Sequence, residues 1–432
     1  MKLFKTCLIG TMALGFVACS DDKPDKPQEE GNLSGTMEEM TPTESKKFLE
    51  STANEFLDKF RTSDQADLVR LCSYFCEEYG DLDLPREFEI EETIEEADPI
   101  KMMRAFISTF EDGNATRAGA ASITYTYSLD FDKFKGVYVN GNKRWIKKGD
   151  SNDIIFEFKD QNGQDCQLKA TISSKTSDGS ITWSDEYYYD EVEDYVYNFR
   201  IPKEINITLT QAGNQLASSK VESDIDVKGH KINVTANVNA ANVSTAVKLE
   251  GTDTRVKETS SLAVSGSTLV TTEAVINGNK LCDYEVYIKD EDIDDKLLSI
   301  LTDGTASVSV LNKVRVDAKA TYSQALYNAL SREYFYAEDA IKKAIDTLNR
   351  DLTATVHYNN KTTVQAQLLW DYKTYSWGSN YEYSVEPKLY FPSDGTSSSF
   401  VEYFGKDFSS VVTTWENLQE SYKKVWDSVR KK

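Results

Sequence analysis

Histidine is almost missing from this chain: His230 and His357 are the only two in 432 residues. Both fall in strand-like patterns, so a multi-histidine metal centre is excluded. Neither has an Asp three residues earlier, which removes the Asp-x-x-His pair that Gly149-Asp150-Ser151 would need in a GDS-type esterase; a turn explains that triplet better. No apolar run reaches the ~20 residues needed to cross a hydrocarbon core. Basic clusters are lacking as well, because Lys143, Arg144, Lys147 and Lys148 gather only in a short hairpin-like segment beside acids. Against 49 Lys and Arg stand 71 Asp and Glu, a net charge of −22. That field repels phosphate backbones and excludes nucleic acid as a partner. No Gly-x-Ser-x-Gly elbow, Walker loop or dinucleotide fingerprint occurs, and no cofactor is expected.

Six cysteines are present. Cys7 lies in the N-terminal apolar segment and Cys19 at its end. Cys72, Cys76, Cys166 and Cys282 remain, and four cysteines allow three pairings that sequence cannot choose between. Cys72 and Cys76 are four apart on a helix-patterned stretch, where burial beside Leu68, Phe75 and Tyr79 is expected in preference to metal ligation. Asp290, Asp292 and Asp294 match the first three ligand positions of a calcium loop. Asp295 then stands where Gly is needed and Leu301 where the bidentate Glu belongs, so no metal site is assigned.

The N-terminus begins Met-Lys-Leu-Phe-Lys and continues in an apolar run from about Leu8 to Ala18. Its length and flanks suit an export signal spanning 1–18 and not a membrane span. The end of the run, Phe16-Val17-Ala18-Cys19, resembles a bacterial lipobox, with Phe16 in place of the usual Leu. The resemblance implies acylation of Cys19, an outer-membrane anchor. Residues 19–40 then read as a solvated tether without apolar periodicity. Removing Lys2 and Lys5 with the signal takes the charge from −22 to −24. "CSDDK" is similar to the acidic export signal of Bacteroidetes-type lipoproteins, which implies the cell surface; a periplasm-facing lipoprotein is the alternative.

From 41 to 118 the period is helical. Phe48, Leu49, Thr52, Phe56, Leu57 and Phe60 recur at three- and four-residue steps after a capped start in "TPTE". Further helices are predicted at 64–79 and near 100–111. From about 119 the period becomes two: "SITYTYSLDF", "DIIFEF", "INITLT", "HKINVTANVNA" and "TLVTTEAVING" alternate, with "NGN" and "DG" turns between them. Antiparallel hairpins are expected, with one face of Thr, Ser, Asn and Lys and the other of Val, Ile, Leu and Ala. Two long helices, 323–350 and 407–430, are predicted to cover the apolar face. Their stripes include Leu326, Leu330, Tyr334, Ile341 and Leu348, then Phe408, Val411, Trp415, Leu418, Tyr422 and Val425. The fold class is α+β: a small N-terminal helical region and a large antiparallel sheet under two C-terminal helices.

Two aromatic and acidic clusters stand out, 183–199 and 370–391. In the second, Trp370 and Tyr372 share one strand face, Tyr381 and Tyr383 another, and Trp377 lies in the turn. Such a hairpin either packs into the body or offers a platform for a glycan or apolar ligand. The chain as a whole resembles the uncharacterised lipoproteins of Bacteroidetes outer membranes. Three functions follow as expectations. The first is a non-catalytic surface lipoprotein that binds a ligand or an outer-membrane protein partner. The second is a carrier of a lipid or other apolar ligand between sheet and helices. The third is a surface glycan hydrolase, for which no nucleophile, base and orienting group are seen together.

Overall fold

The computed structural model describes residues 33–80, 82–83, 85, 116–117, 122–129, 131–187, 191–283, 299–377, 380–404 and 408–429. Cys19 and the tether to residue 32, the helix expected near 100–111 and the acids 290–295 lie outside the described residues.

Two N-terminal helices come first, α1 (Pro42–Leu57) and α2 (Thr62–Tyr79). The capped start of α1 is as read: Thr41 Oγ1 accepts from the Glu44 amide, while Glu44 returns a carboxylate oxygen to the Thr41 amide at 2.9 Å. Strands follow in chain order: β1 (Thr116–Arg117), β2 (Ser122–Leu129), β3 (Gly136–Asn140), β4 (Trp145–Gly149), β5 (Ile154–Lys159), β6 (Asp165–Ile172), β7 (Thr176–Tyr187) and β8 (Glu191–Pro202). Then come β9 (Glu204–Gln211), β10 (Asn214–Asp226), β11 (Lys231–Ala240), β12 (Val243–Thr252), β13 (Arg255–Val264), β14 (Ser267–Gly278), β15 (Leu301–Val310) and β16 (Val314–Thr321). The C-terminal part is α3 (Gln324–Ser331), α4 (Glu338–Asp351), β17 (Leu352–Tyr358), β18 (Val364–Trp377), β19 (Asn380–Phe391), β20 (Thr396–Ser399), α5 (Phe400–Phe404) and α6 (Ser409–Asp427).

Sixteen strands form one sheet in the order β20-β19-β18-β17-β16-β15-β14-β13-β12-β11-β10-β9-β6-β5-β3-β4. A second sheet runs β1-β2-β8-β7. From β9 to β20 the large sheet is an antiparallel meander, as the period-two pattern requires. The exceptions to antiparallel pairing among the described strands are β2 with β8 and β3 with β5, both parallel.

Register makes the sheet two-faced. One cross-strand row reads Ile205, Val221, Ala236, Val247, Ser260, Thr272, Val308, Val316, Val356, Ala366. Ser260 and Thr272 are its two polar members, and their hydroxyls bond each other at 2.6 Å. An adjacent row on the opposite face reads Glu222, Thr235, Lys248, Thr259, Glu273, Ser307, Asp317, Thr355, Gln367. A slip of one residue anywhere would exchange the two sets.

The turns at one end are tight. Ala212-Gly213 and Ser265-Gly266 each carry two positive φ values, the geometry of a type I′ turn. Against that end lie α1 and α2, end to end across the strands. The C-terminal half of α1 and the residues after it bring Phe56 and Phe60 onto the cluster of Val243, Leu262, Val264 and Leu269, while Leu49 packs on the cluster of Ala366, Leu389, Phe391 and Tyr403. Helix α2 packs Leu71, Phe75 and Tyr79 onto Tyr138, Trp145, Phe158 and Cys166. At ~1.5 Å per residue, the 16 residues of α1 reach about 24 Å, enough to cross about five strands spaced ~4.8 Å apart.

Three expectations need correction. Cys72 and Cys76 are exposed, and all four described cysteines are free. The buried stripe of α2 is Leu71, Phe75 and Tyr79, and each cysteine sits one residue, about a quarter-turn, beyond it. The predicted 323–350 helix is two helices, because Arg332 to Ala337 runs extended and Phe335 exchanges backbone hydrogen bonds with Tyr383 of β19, 2.8 Å one way and 2.9 Å the other. No Pro or Gly marks that break; pairing with the sheet and burial of the Phe335 ring replace the helical bonds. Finally, the α6 seam is not core. The helix rests on α1 and α2, through Ser73 Oγ donating to the Trp426 carbonyl and Thr414 Oγ1 donating to Asn54, and Trp415 is 48% exposed.

Candidate functional site

Register brings Trp370, Tyr372, Tyr381 and Tyr383 to the same face of the β18–β19 hairpin, where two faces were expected: Tyr372 opposes Val385, Thr374 opposes Tyr383 and Ser376 opposes Tyr381. Trp377 is the last residue of β18, paired with Asn380, so the turn falls after it. Helices α3 and α4 lie over this face. Trp370, Tyr372, Tyr383 and Val385 pack against Leu326, Ala329, Phe335, Ile341, Ala344 and Leu348.

Polar groups lock the arrangement. The Asn349 side chain pairs with the Trp370 backbone in both directions, accepting from its N–H at 2.8 Å and donating to its carbonyl at 2.9 Å. The indole Nε1–H donates to the Leu352 carbonyl at 3.2 Å, and the Tyr372 and Tyr383 rings meet edge to face at 5.8 Å. Trp370, Tyr372 and Tyr383 thus form the floor under a helical pair.

The end of the hairpin is different. Tyr381 is exposed, and Tyr336, next to the buried Phe335, is 77% exposed. Tyr334, on the other side of Phe335, meets Tyr375 edge to face at 6.3 Å, and Lys373 Nζ stands 5.6 Å from the Tyr375 ring centre. The Glu333 carboxylate beside Tyr334 pushes its phenol up. Four tyrosines therefore stand at the free end of the sheet, but on two faces: Tyr375, with Tyr334, Lys373 and Glu382, lies on the face opposite Tyr381. Three of them, Tyr334, Tyr336 and Tyr375, were not picked out by sequence reasoning. Tyr334 was read as part of a helical core stripe, and only the extended break in that helix turns it outward.

The tip lies opposite the entry of the chain. The segment from Ser34 to Met40 is held at the start of β18: Ser34 N–H donates to the Asn360 carbonyl at 3.0 Å, and Met40 N–H to Gln365 Oε1 at 2.7 Å. Strand β18 then runs 14 residues to the tyrosines. At ~3.3 Å per residue, about 45 Å separates the two ends.

Between the helix layers part of the apolar face stays open, with Val247, Val308 and Val316 each 37–40% exposed. Glu258 stands in that face between Leu249 and Ala274. Burial pushes its carboxyl up, and Oε1 has no hydrogen-bond partner.

Two clefts are polar. One of about 370 Å³ lies between Asp67, Arg70 and Tyr74 of α2 and the β5–β6 turn. Buried Asp160 at its base receives the Asn162 and Gln164 amides, each at 2.8 Å, and Gln211 Nε2 at 2.6 Å, a set of bonds that builds the turn. The other, about 340 Å³, lies on the polar sheet face and contains Glu273, Arg315, Asp317 and Lys319. Its carboxylates are paired, Asp317 with Arg315 at 2.8 Å and Glu273 with Lys257 at 2.6 Å. Buried His357 neighbours it, with Nε2 3.0 Å from Thr355 Oγ1. Glycoside hydrolysis needs one protonated and one ionised carboxyl facing the same substrate. Here the paired acids and the raised Glu258 occupy opposite faces of the sheet. Gly149-Asp150-Ser151 is a turn in which Ser151 Oγ accepts from the Asp153 amide at 3.0 Å.

No protein-family model matches the chain, and no curated protein matches it. A crystal structure of a porin-like protein from Bacteroides vulgatus aligns with 60% of this chain and 93% of its own, at 10% identity and a TM-score of 0.18. A score that low equates neither fold nor function. Among the described residues, no helix is long and apolar enough to cross a membrane.

Proposed function

We propose that this protein is a non-catalytic lipoprotein, held at the outer membrane by acylated Cys19, that presents the tyrosine-bearing end of its sheet to a glycan or to a surface partner. The observation that carries this reading is the polarity of the molecule. The chain enters at one end of β18 and the exposed tyrosines stand about 45 Å away at the other. Exposed phenol rings with flanking carboxylates and a lysine suit stacking on sugar faces with hydroxyls hydrogen-bonded at the rim. The rings are held by the Phe335–Tyr383 bridge and the packed floor below it, so little ordering is needed on binding. A glycan array probed with the mature chain and with a Tyr336→Ala, Tyr375→Ala double variant tests the reading. Loss of about 1–3 kcal/mol, roughly 5- to 150-fold, is expected for two stacking rings. An identical profile for both proteins refutes it.

A second reading has its own support in the open apolar face. The exposure of Val247, Val308 and Val316 leaves room for an acyl chain or another flat apolar ligand. Native mass spectrometry of the purified chain checks this, and absence of bound lipid combined with no uptake of a fluorescent fatty acid would remove it.

A further inference from the structure

The anchor end of the molecule carries an unburied apolar ridge. Phe400 and Phe404 of α5 stack at 6.0 Å, and Phe404 meets Phe408 at 5.3 Å. Helix α6 continues the line at helical spacing with Val412 and Trp415, about half exposed, and Val401 beside Phe400 is 81% exposed. The ridge is braced from beneath. Tyr403 is buried against Phe391, donates its hydroxyl to the Pro42 carbonyl at 3.1 Å, and lies under Lys46, whose Nζ is also 5.9 Å from the Phe408 ring. Pro42 opens α1, a few residues after the chain enters at Ser34.

We infer that this ridge rests on the phospholipid surface and sets the orientation in which the tyrosine end is displayed. The inference depends on the anchored reading of Cys19. The chain from Cys19 to Leu33, even fully extended, reaches less than about 50 Å. The surface that the acyl chains enter is therefore within reach of the ridge. Apolar side chains on helices at such a surface enter the headgroup boundary, and Trp is favoured there. Glu402 and Glu416 flank the ridge and the whole chain is acidic, so zwitterionic lipid is the matching chemistry and anionic lipid is disfavoured.

Trp415 supplies the probe. The chain from Ser20, captured by an N-terminal histidine tag on phosphatidylcholine vesicles containing a chelating lipid, is compared on ordinary and brominated acyl chains. Bromine quenches indole fluorescence only where the ring enters the bilayer. Quenching is expected for the parent chain, at least a twofold smaller effect for Val401→Asp, and near-complete loss for Trp415→Phe. Both positions are exposed, and an unchanged circular-dichroism spectrum confirms that the variants are folded. Quenching equal in parent and Trp415→Phe, or absent from both, overturns the proposal and leaves the ridge to a protein partner. Because the tag replaces the acyl chains, this result is independent of Cys19 modification, which the mass of the native N-terminus reports separately.

Discussion

Phe335 decides whether the tyrosine end exists as a site. Its ring is 5% exposed among Leu326, Ala329, Ile341 and Leu348, and its backbone exchanges two hydrogen bonds with Tyr383. Phe335→Ala removes a buried aromatic side chain, for which the expected cost is about 3–5 kcal/mol. The segment from Arg332 to Ala337 lies at the free side of β19 and can swing outward. Part of the loss should therefore appear as local opening and not as global unfolding. Two measurements separate these. Urea denaturation reads the global part. Hydrogen exchange at the Tyr383 amide reads the local part, because that N–H is covered only while Phe335 stays paired. A local loss of about 3 kcal/mol lowers its protection roughly 100-fold. Amides in β12 and β13, remote from the bridge, should lose no more than the global change. The reasoning fails if Phe335→Ala costs less than about 1 kcal/mol and leaves Tyr383 protection unchanged, since the segment would then be held by something other than this ring.

Glu258→Leu should stabilise the chain at pH 7 by about 1–3 kcal/mol, because it removes a carboxylate held between Leu249 and Ala274 with one oxygen unpaired. The fold raises this carboxyl above its unfolded value, so the destabilisation is absent below the unfolded pKa and grows as pH rises through the folded one; urea curves showing a gain at pH 4 as large as at pH 7 would contradict the assignment. Asn349→Ala should cost about 1–3 kcal/mol in urea denaturation by leaving both backbone groups of Trp370 unpaired, and Asn349→Asp should cost at least as much at pH 7, because a carboxylate oxygen would face the Trp370 carbonyl where the amide now donates. Burial pushes the Cys166 and Cys282 thiols up to about 11 and also raises the Cys72 thiol, so at pH 8 a thiol reagent should label exposed Cys76 fastest in the folded chain, Cys72 more slowly, and the two buried cysteines only after denaturation.

The sheet was legible in the sequence because its code is local. Alternation through "HKINVTANVNA" and "TLVTTEAVING" assigns each residue to a face before any partner strand is known, and a meander with tight turns lets each strand meet its neighbour. The start of α1 was equally local, since Thr41 and Glu44 supply both halves of its cap. Cys72 and Cys76 show where local reasoning stopped. Helical spacing gives a stripe but not its phase, and a quarter-turn decided that Leu71, Phe75 and Tyr79 face the aromatic cluster.

The candidate site was legible only as composition. The hairpin from Trp370 to Phe391 was visible as aromatic, yet its burial depends on α3 and α4, and its outward tyrosines depend on a break in a helix with unbroken helical periodicity. That break is held by a backbone bridge between residues 335 and 383, a contact no periodicity encodes. By itself, then, the sequence determined the alternation of the strands and the α+β class. Only the tertiary structure decided which side chains of each element are covered, because coverage depends on what packs from afar. The same long-range packing puts the chain's entry and its exposed tyrosines at opposite ends of one strand.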